Sequence, residues 1–180
     1  MDSARIREHL QCGGVIAYPT ESCYGLGCDP MNIQAIKRVL SLKKRSPSKG
    51  LILIAAYFQQ LQPYLQALTP ELVTRMNAHW PGPHTWLVPA SATCPAALRG
   101  DHDTVAVRVT AHRDAAALCR AVDMALVSTS ANLSGEKPAQ TAEECRRLFG
   151  QHALIIPGEI GTCHHPSTIQ DLMSGRIIRK

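Results

Sequence analysis

The sequence predicts an α/β protein in which helices pack against a mixed, twisted sheet. Apolar segments of strand length alternate along the chain with segments whose apolar residues recur at helical spacing. Residues 50–56 are apolar at nearly every position, which is typical of a strand covered on both faces. No repeat, low-complexity tract or linker interrupts this alternation, so we expect a single domain over residues 1–180.

The helix predictions depend on apolar stripes and on residues that suit helix ends. An apolar pair at helical spacing before Gly13-Gly14 indicates a helix that stops at these glycines. Asn32 and Thr141 can each cap a following helix, and Glu144 completes a capping box with Thr141. Helices are expected at residues 4–11, from 33 to the cations at 43–45, and at 58–67, 70–79, 113–122 and 142–149.

Two of the predicted strands lead into small and polar residues that suit a ligand site. Pro19-Thr20-Glu21-Ser22 follows one strand, and the segment 128–132 (Ser-Thr-Ser-Ala-Asn) ends another. Ligands of open α/β sheets usually bind where strands end, so both segments have the character of a ligand site. The glycines of the segment 24–27 (Tyr-Gly-Leu-Gly) allow a close approach of the backbone to a ligand, and Glu21 either orients neighbouring groups or pairs with a cation. The strands are expected within residues 14–20, 50–56, 81–90, 104–109, 125–132, 153–158, 167–172 and 175–180.

Composition narrows the class of protein without identifying it. Hydrophobic residues make up 45% of the chain and charged residues 18%, which fits a globular protein with a real core. The net charge of +5 favours anionic partners, while the small number of aromatic residues argues against a stacking platform for single-stranded nucleic acid. Seven cysteines without a CxxC pair indicate a reducing cytoplasm, and no segment reads as a signal peptide or a membrane span.

A cluster of cations is the least ordinary local feature of the chain. Lys43, Lys44, Arg45 and Lys49 fall within seven residues that contain no acid, directly before an apolar strand. Either these side chains are solvated at a helix C-terminus, where cations are favourable, or they bind an anion. The chain lacks the glycine-rich phosphate-binding motifs, so a phosphate site would need side chains such as Lys43 and Arg45.

Several blocks, taken in order, resemble the YrdC family. They are "GGVIAYPTESCYGLGCDP", the Lys43-x-Arg45 pair before "SKGLILI", "AVRV" and "STSANLSG", and the similarity runs from about residue 4 to residue 179. The family pattern joins Lys-x-Arg to a later Ser-x-Asn, which is Ser130-x-Asn132 here. One departure concerns the residue after the pair, where Ser46 precedes Pro47 although family members often have proline directly.

The resemblance implies a YrdC-like α/β fold and a synthase activity. Family members make threonylcarbamoyl-AMP from L-threonine, bicarbonate or CO2, and ATP, and they release pyrophosphate. The product serves N6-threonylcarbamoyladenosine modification at position 37 of tRNAs that read codons starting with A. The resemblance therefore implies ATP as a substrate, Mg2+ accompanying it, and downstream threonylcarbamoyl-transfer proteins as partners.

The resemblance also assigns roles to twelve residues. The catalytic residues by resemblance are Lys43, Arg45, Ser130 and Asn132. The ATP-binding residues by resemblance are Lys43, Arg45, Pro47, Thr104, Ser130, Asn132, Pro138 and Arg179. The threonine-binding residues by resemblance are Thr20, Arg108, Ser128 and Ser167.

Two alternatives remain open at this point. A non-catalytic RNA-binding protein of rRNA or tRNA maturation would use the same basic surface for backbone phosphates, and direct RNA binding is compatible with the synthase activity as well. The segment Cys163-His164-His165 matches no zinc pattern, so we expect no protein-bound metal there.

Overall fold

A computed structural model describes residues 2–163 and 165–180 of the chain. The helices are α1 (Ser3–Gln11), α2 (Ile33–Leu42), α3 (Pro70–Asn77), α4 (Ala96–Arg99), α5 (Arg113–Val122) and α6 (Ala142–Phe149). The strands are β1 (Ile16–Pro19), β2 (Tyr24–Gly27), β3 (Ile52–Ala55), β4 (His84–Pro89), β5 (Thr104–Val109), β6 (Leu126–Ser130), β7 (Leu154–Ile155), β8 (Thr168–Asp171) and β9 (Ile177–Arg179). Every helix in the described ranges is too short or too polar to cross a lipid bilayer.

The strands form one mixed sheet. Within the described residues its order is β7-β1-β2-β6-β3-β5-β4-β8-β9. Three neighbouring pairs are parallel (β1/β7, β3/β5 and β4/β8), and the other five are antiparallel. The predicted α/β class with a mixed sheet is confirmed.

Strand β3 lies in the interior of the sheet, as its apolar sequence predicts. It pairs in parallel with β5 and antiparallel with β6, and Leu53, Ile54 and Ala55 are fully buried. Burial on both faces removes the need for alternating polar residues, which explains why the segment shows no period of two.

Helices cover both faces of the sheet, but one face only in part. Helix α2 and helix α6 belong to the larger apolar cluster, together with Leu53 and Val107 of the sheet. Helices α1 and α5 pack on the opposite face, where they cover Tyr18, Ile54 and Leu126. Because side chains alternate between faces along a strand, Arg108 and Ser128 lie on this second face, beyond the part that the two helices cover.

The predicted helix at residues 58–67 is wrong. The chain instead makes two short 3₁₀ turns, Phe58–Gln60 and Gln62–Tyr64. Pro63 has no N–H to donate and its ring clashes with the preceding turn, so a continuous α-helix cannot pass through it. Strand β2 and helix α4 were not expected, because β2 (Tyr-Gly-Leu-Gly) is rich in glycine and α4 is a single turn.

Candidate active site

A cavity of about 660 Å³ opens on the uncovered part of the sheet face. Eight of the twelve residues with roles assigned by resemblance line it, so segments far apart in sequence converge on one space. Those eight are Thr20, Arg45, Arg108, Ser128, Ser130, Pro138, Ser167 and Arg179. The cavity extends over the sheet face rather than lying only at strand ends, since Arg108 sits opposite Ile54 within the β3/β5 pairing.

The end of helix α2 brings the Lys-x-Arg pair to this cavity. Lys44 has a left-handed backbone conformation (φ 49°), and the Arg45 N–H donates to the Leu40 carbonyl at 3.0 Å, as in a Schellman motif. Lys43 is thus the last residue of the helix end, and Arg45 follows the left-handed residue Lys44. Arg45 lines the cavity, and one of its terminal nitrogens donates to the Gly50 carbonyl at 3.0 Å.

Lys43 lies beneath the cavity wall, with only 2% of its surface exposed. Its ammonium donates to the Ser130 carbonyl, to the Asn132 carbonyl at 3.0 Å and to Asn132 Oδ1 at 2.8 Å. Burial, together with the nearby Arg45 charge, lowers the pKa of Lys43 to about 8. Lys43 therefore ties the end of α2 to the segment after β6 and still carries its charge at neutral pH.

Ser130 and Asn132 form one hydrogen-bonded unit with Lys43. Ser130 Oγ donates to Asn132 Oδ1 at 2.6 Å, and Asn132 Nδ2 donates to the Glu136 carbonyl at 2.7 Å. Ser130 reaches the cavity, whereas Asn132 is buried behind it. The Lys-x-Arg and Ser-x-Asn motifs thus contact each other directly, as their joint occurrence in the family pattern suggests.

Three arginines give the cavity its charge. Burial lowers the pKa of Arg179, and the nearby charges of Arg108 and Arg45 lower it further. Lys137 adds a fourth cation to the lining, and no acidic residue among the described residues lines the cavity. Such a space favours ligands that carry more than one negative charge.

Arg108 forms an ion pair with Glu21, which does not line the cavity. One terminal nitrogen of Arg108 donates to Glu21 Oε2 at 3.3 Å, and Thr110 Oγ1 donates to Glu21 Oε1 at 2.6 Å. Glu21 and Arg108 are both buried, but only Arg108 lines the cavity. Arg108 Nε has no hydrogen-bond partner among the described residues and is shielded from solvent.

Small side chains form the opposite wall. Thr20 donates its hydroxyl to the Cys23 carbonyl at 2.7 Å, and Ser128 is also buried at this wall. Gly25 lies close to both residues. A Cβ atom at this position would be 3.2 Å from Thr20 Cγ2 and 3.4 Å from Ser128 Oγ. The absence of a side chain at Gly25 keeps this part of the cavity open.

Ser167 and Arg179 close the cavity from the far edge of the sheet. Arg179 donates twice to the Ser167 carbonyl, at 3.1 and 2.8 Å, and once to Ser167 Oγ at 3.2 Å. Ser167 Oγ lies 2.8 Å from Thr85 Oγ1 on strand β4. These contacts fix the position of Arg179 although it belongs to an edge strand.

The structure does not bring every predicted residue to the main cavity. Pro47 is exposed in a 3₁₀ turn and lines no cavity described here, and Thr104 lines a second cavity of about 410 Å³. The second cavity adjoins the first, since Arg45 and Arg179 line both. A nucleotide that extends from one cavity into the other would reach Thr104.

The sequence drew attention to Gly25 and Glu21 without giving either a substrate, and it gave no role to Thr110. Glu21 directly follows Thr20, and Thr110 follows Arg108 by two positions, so each lies beside a residue that was assigned. Their contact joins positions that are 89 residues apart. For Thr110, proximity to Arg108 was the only available signal, because its contact with Glu21 depends on the sheet pairing.

No group of three or more His, Cys, Asp or Glu side chains within the described residues could hold a metal ion. The segment Cys163-His164-His165 lies partly outside these residues, because His164 is not described. The acid-free lining of the main cavity suits a metal that arrives with phosphate oxygens rather than one held by protein carboxylates.

The fold and the cavity define an α/β protein with a cationic cleft for anionic substrates. The family model for Sua5, YciO and YrdC proteins, described as telomere recombination, matches residues 8–180, and the chain belongs to this family. A threonylcarbamoyl-AMP synthase from Methylobacillus flagellatus is 60% identical to it over 98% of each chain. A protein of the same name from Thiobacillus denitrificans is 57% identical over 97% of this chain and 93% of its own.

A solved structure gives the same fold. The structure of P. abyssi Sua5 complexed with L-threonine has a TM-score of 0.86 and 32% sequence identity over 95% of this chain. This chain spans about half of that protein, 52% of its length.

Proposed function

We propose that this protein is a threonylcarbamoyl-AMP synthase that converts L-threonine, bicarbonate or CO2, and ATP into threonylcarbamoyl-AMP and pyrophosphate. The observation that carries the proposal is the acid-free cavity, into which three arginines and the hydroxyl groups of Thr20, Ser128 and Ser130 converge. Relatives that bear this name align with the chain over nearly its whole length. The protein is accordingly an ATP-dependent enzyme that forms an adenylate.

The chemistry explains why the cavity needs several cations. The amine of threonine adds to CO2 with loss of a proton and becomes a carbamate. A carbamate oxygen then forms a bond to the α-phosphorus of ATP while the bond to the pyrophosphate oxygen breaks. Two anions must therefore approach each other, and fixed positive charges reduce their repulsion and stabilise the leaving pyrophosphate.

In our proposal, one group of residues contacts the phosphates of ATP and a second group supports the first. Arg45, Arg179 and Ser130 contact the phosphates, since all three reach the cavity. Lys43 and Asn132 support them from beneath through their hydrogen bonds to the Ser130 segment. Pro138 and Thr104 lie further along the path of the nucleotide.

The threonine end of the cavity comprises Arg108 and the hydroxyl-bearing wall. Arg108 lines the cavity and offers its guanidinium group to the carboxylate of the amino acid, and guanidinium groups bind carboxylates strongly. Thr20, Ser128 and Ser167 supply hydroxyl groups within the same cavity. P. abyssi Sua5, which has the same fold, was solved in complex with L-threonine, and this supports threonine as a substrate here.

The remaining proposals concern ions, partners and compartment. Mg2+ would enter with the triphosphate and neutralise part of its charge. The product would pass to downstream tRNA threonylcarbamoyl-transfer proteins. The cations around the cavities are also compatible with direct binding of RNA. Seven free cysteines suit a reducing cytoplasm.

We also propose that residues 1–180 form one YrdC-like domain. A non-catalytic RNA-binding role is not favoured, because the relatives carry the name of an enzyme.

The proposal is tested by incubating the purified protein with ATP, L-threonine and bicarbonate and detecting the mixed anhydride by mass spectrometry. Omission of any one substrate should eliminate both the anhydride and pyrophosphate release. Arg45→Ala should lower the rate by at least about 100-fold, because it removes a charge that stabilises the transition state.

Arg5→Ala is the matched control, since Arg5 is exposed on helix α1. Pyrophosphate release that does not require threonine, or an Arg45→Ala variant as active as Arg5→Ala, would contradict the proposal.

A further inference from the structure

We infer that Glu21 and Thr110 are positioning residues that set the threonine affinity of the site through Arg108. The inference rests on the proposed function, because it takes the amino-acid carboxylate as the ligand of Arg108. It assigns a role to two residues that lie outside the cavity lining. Neither would be expected to contact a substrate.

The first step is the chain of contacts behind Arg108. The guanidinium donates to Glu21 Oε2 at 3.3 Å, Thr110 Oγ1 donates to Glu21 Oε1 at 2.6 Å, and the His112 N–H donates to Thr110 Oγ1 at 3.1 Å. Each oxygen of the carboxylate therefore has its own partner. The chain ends on the backbone, which makes the arrangement rigid.

The second step concerns what holds Glu21 itself in place. Its backbone carbonyl accepts the Cys163 N–H at 3.1 Å, and the neighbouring Thr20 carbonyl accepts the Gly161 N–H at 2.9 Å. A Cβ atom at Gly161 would lie 2.7 Å from the Glu21 carbonyl oxygen, so the two segments are in close contact. Glu21 is consequently fixed by both its backbone and its side chain.

The third step is electrostatic. The Arg108 and Arg45 charges both act on Arg179, and like charges around one cavity push flexible side chains apart. The Glu21 carboxylate offsets this repulsion on the side away from the cavity. It thus holds the guanidinium plane in one orientation while Arg108 Nε remains without a partner among the described residues.

The same geometry argues against Glu21 as the base that takes the proton from the amine of threonine. Its carboxylate oxygens are already engaged by Arg108 and Thr110, and the residue does not line the cavity. A general base must come within hydrogen-bond distance of the proton that it removes. Loss of the Glu21 charge should therefore change the binding of threonine and not the pH profile of the chemical step.

The test compares Glu21→Gln, Thr110→Val and Thr110→Ser in the full-length protein. Steady-state kinetics with threonine and ATP varied separately gives both KM values. Calorimetric titration with L-threonine measures binding independently of turnover. Arg108→Ala gives the upper limit of the effect, and Glu8→Gln on the exposed side of helix α1 is the matched control for the loss of a carboxylate.

Glu21→Gln should raise the KM for threonine about tenfold while the KM for ATP changes less than about twofold, because only the orientation of Arg108 is affected. Thr110→Val should act in the same direction, and Thr110→Ser should restore wild-type affinity because it keeps the hydroxyl. The pH profile of kcat should not move. If Glu21→Gln does not fold, the Thr110 pair decides alone.

Three outcomes would overturn the inference. The first is an unchanged threonine affinity in Glu21→Gln and Thr110→Val. The second is an equal rise in the KM values for threonine and for ATP. The third is a shifted pH profile of kcat in Glu21→Gln, which would make Glu21 a proton acceptor. Failure of the wild-type protein to bind threonine in the calorimeter would instead overturn the proposed function, and this inference with it.

Discussion

At the scale of single residues, Lys43 and Arg45 differ more than their shared motif suggests. Lys43 is buried and satisfies three oxygen acceptors, whereas Arg45 faces the cavity. The ammonium of Lys43 therefore contributes to the folded structure as well as to the charge of the site. Sequence alone could not separate these roles, because the Lys43 acceptors lie almost 90 residues away in the chain.

Lys43→Ala should lower the free energy of unfolding by about 2–4 kcal/mol, because it removes three hydrogen bonds from a charged donor and leaves the Asn132 carbonyl without a donor. Arg45→Ala should cost about 1 kcal/mol or less, since its partner is a single carbonyl beside an open cavity. Urea denaturation followed by circular dichroism measures both values. Lys37→Ala, at an exposed position of helix α2, is the control, and a Lys43→Ala variant as stable as this control would refute the structural role.

At the scale of elements, strand β2 has two glycines with different functions. A Cβ atom at Gly27 would lie 2.4 Å from the Val127 carbonyl oxygen and 2.7 Å from Tyr18 Cε1. At Gly25 the nearest neighbours would be Thr20 Cγ2 and Ser128 Oγ at 3.2 and 3.4 Å, on the wall of the cavity. Gly27 therefore permits the packing of the sheet, and Gly25 keeps this wall of the cavity free of a side chain.

Gly27→Ala should destabilise the fold by about 2 kcal/mol or more, because backbone atoms of β6 would have to move. Gly25→Ala should leave the unfolding transition nearly unchanged and should weaken the binding of threonine through the narrower cavity. Thermal unfolding and threonine titration of the two variants distinguish these effects. Loss of stability in Gly25→Ala comparable to that in Gly27→Ala would contradict the distinction.

Sequence patterns predicted most elements because their determinants are local. The apolar run of β3, the β-branched residues of β5 and the caps of α2 and α6 all lie within or beside the element they specify. Strand β2 was missed because its glycines serve the site and the packing rather than strand propensity. The strand-end segments and the cation cluster were candidate ligand sites from the sequence itself, but the roles of individual residues could be assigned only by resemblance, since the sheet pairing that assembles the cavity is nonlocal.

At the scale of the whole molecule, buried thiols make the fold sensitive to alkaline pH. Burial raises the pKa values of Cys23, Cys28, Cys94, Cys119 and Cys145, with those of Cys119 and Cys145 reaching about 12. These thiols stay protonated in the folded state at a pH where they ionise in the unfolded chain. Their contribution to stability is complete below the ordinary thiol pKa and is lost as the pH rises above it.

Lys43 has the opposite effect on stability. Its pKa is lowered to about 8 in the folded protein, so between about pH 8 and the ordinary pKa of lysine the unfolded chain binds more protons than the folded protein. Five thiols outweigh one ammonium, so the free energy of unfolding should fall between pH 8 and pH 10, roughly across the range where an unfolded thiol ionises. Urea denaturation in the presence of a reductant measures the trend. Cys119→Ala should show a shallower decline, and stability that does not change with pH would contradict the argument.

The position of Arg179 on the edge strand β9 has a consequence for the charge of the cavity. This strand pairs only with β8 in the described sheet, and it supplies the third arginine of the cavity. Arg179 is held there by its hydrogen bonds to Ser167 and by the β8/β9 pairing. Detachment of this one strand from the sheet edge would therefore withdraw a guanidinium group from the cavity and leave the strands between β7 and β4 paired.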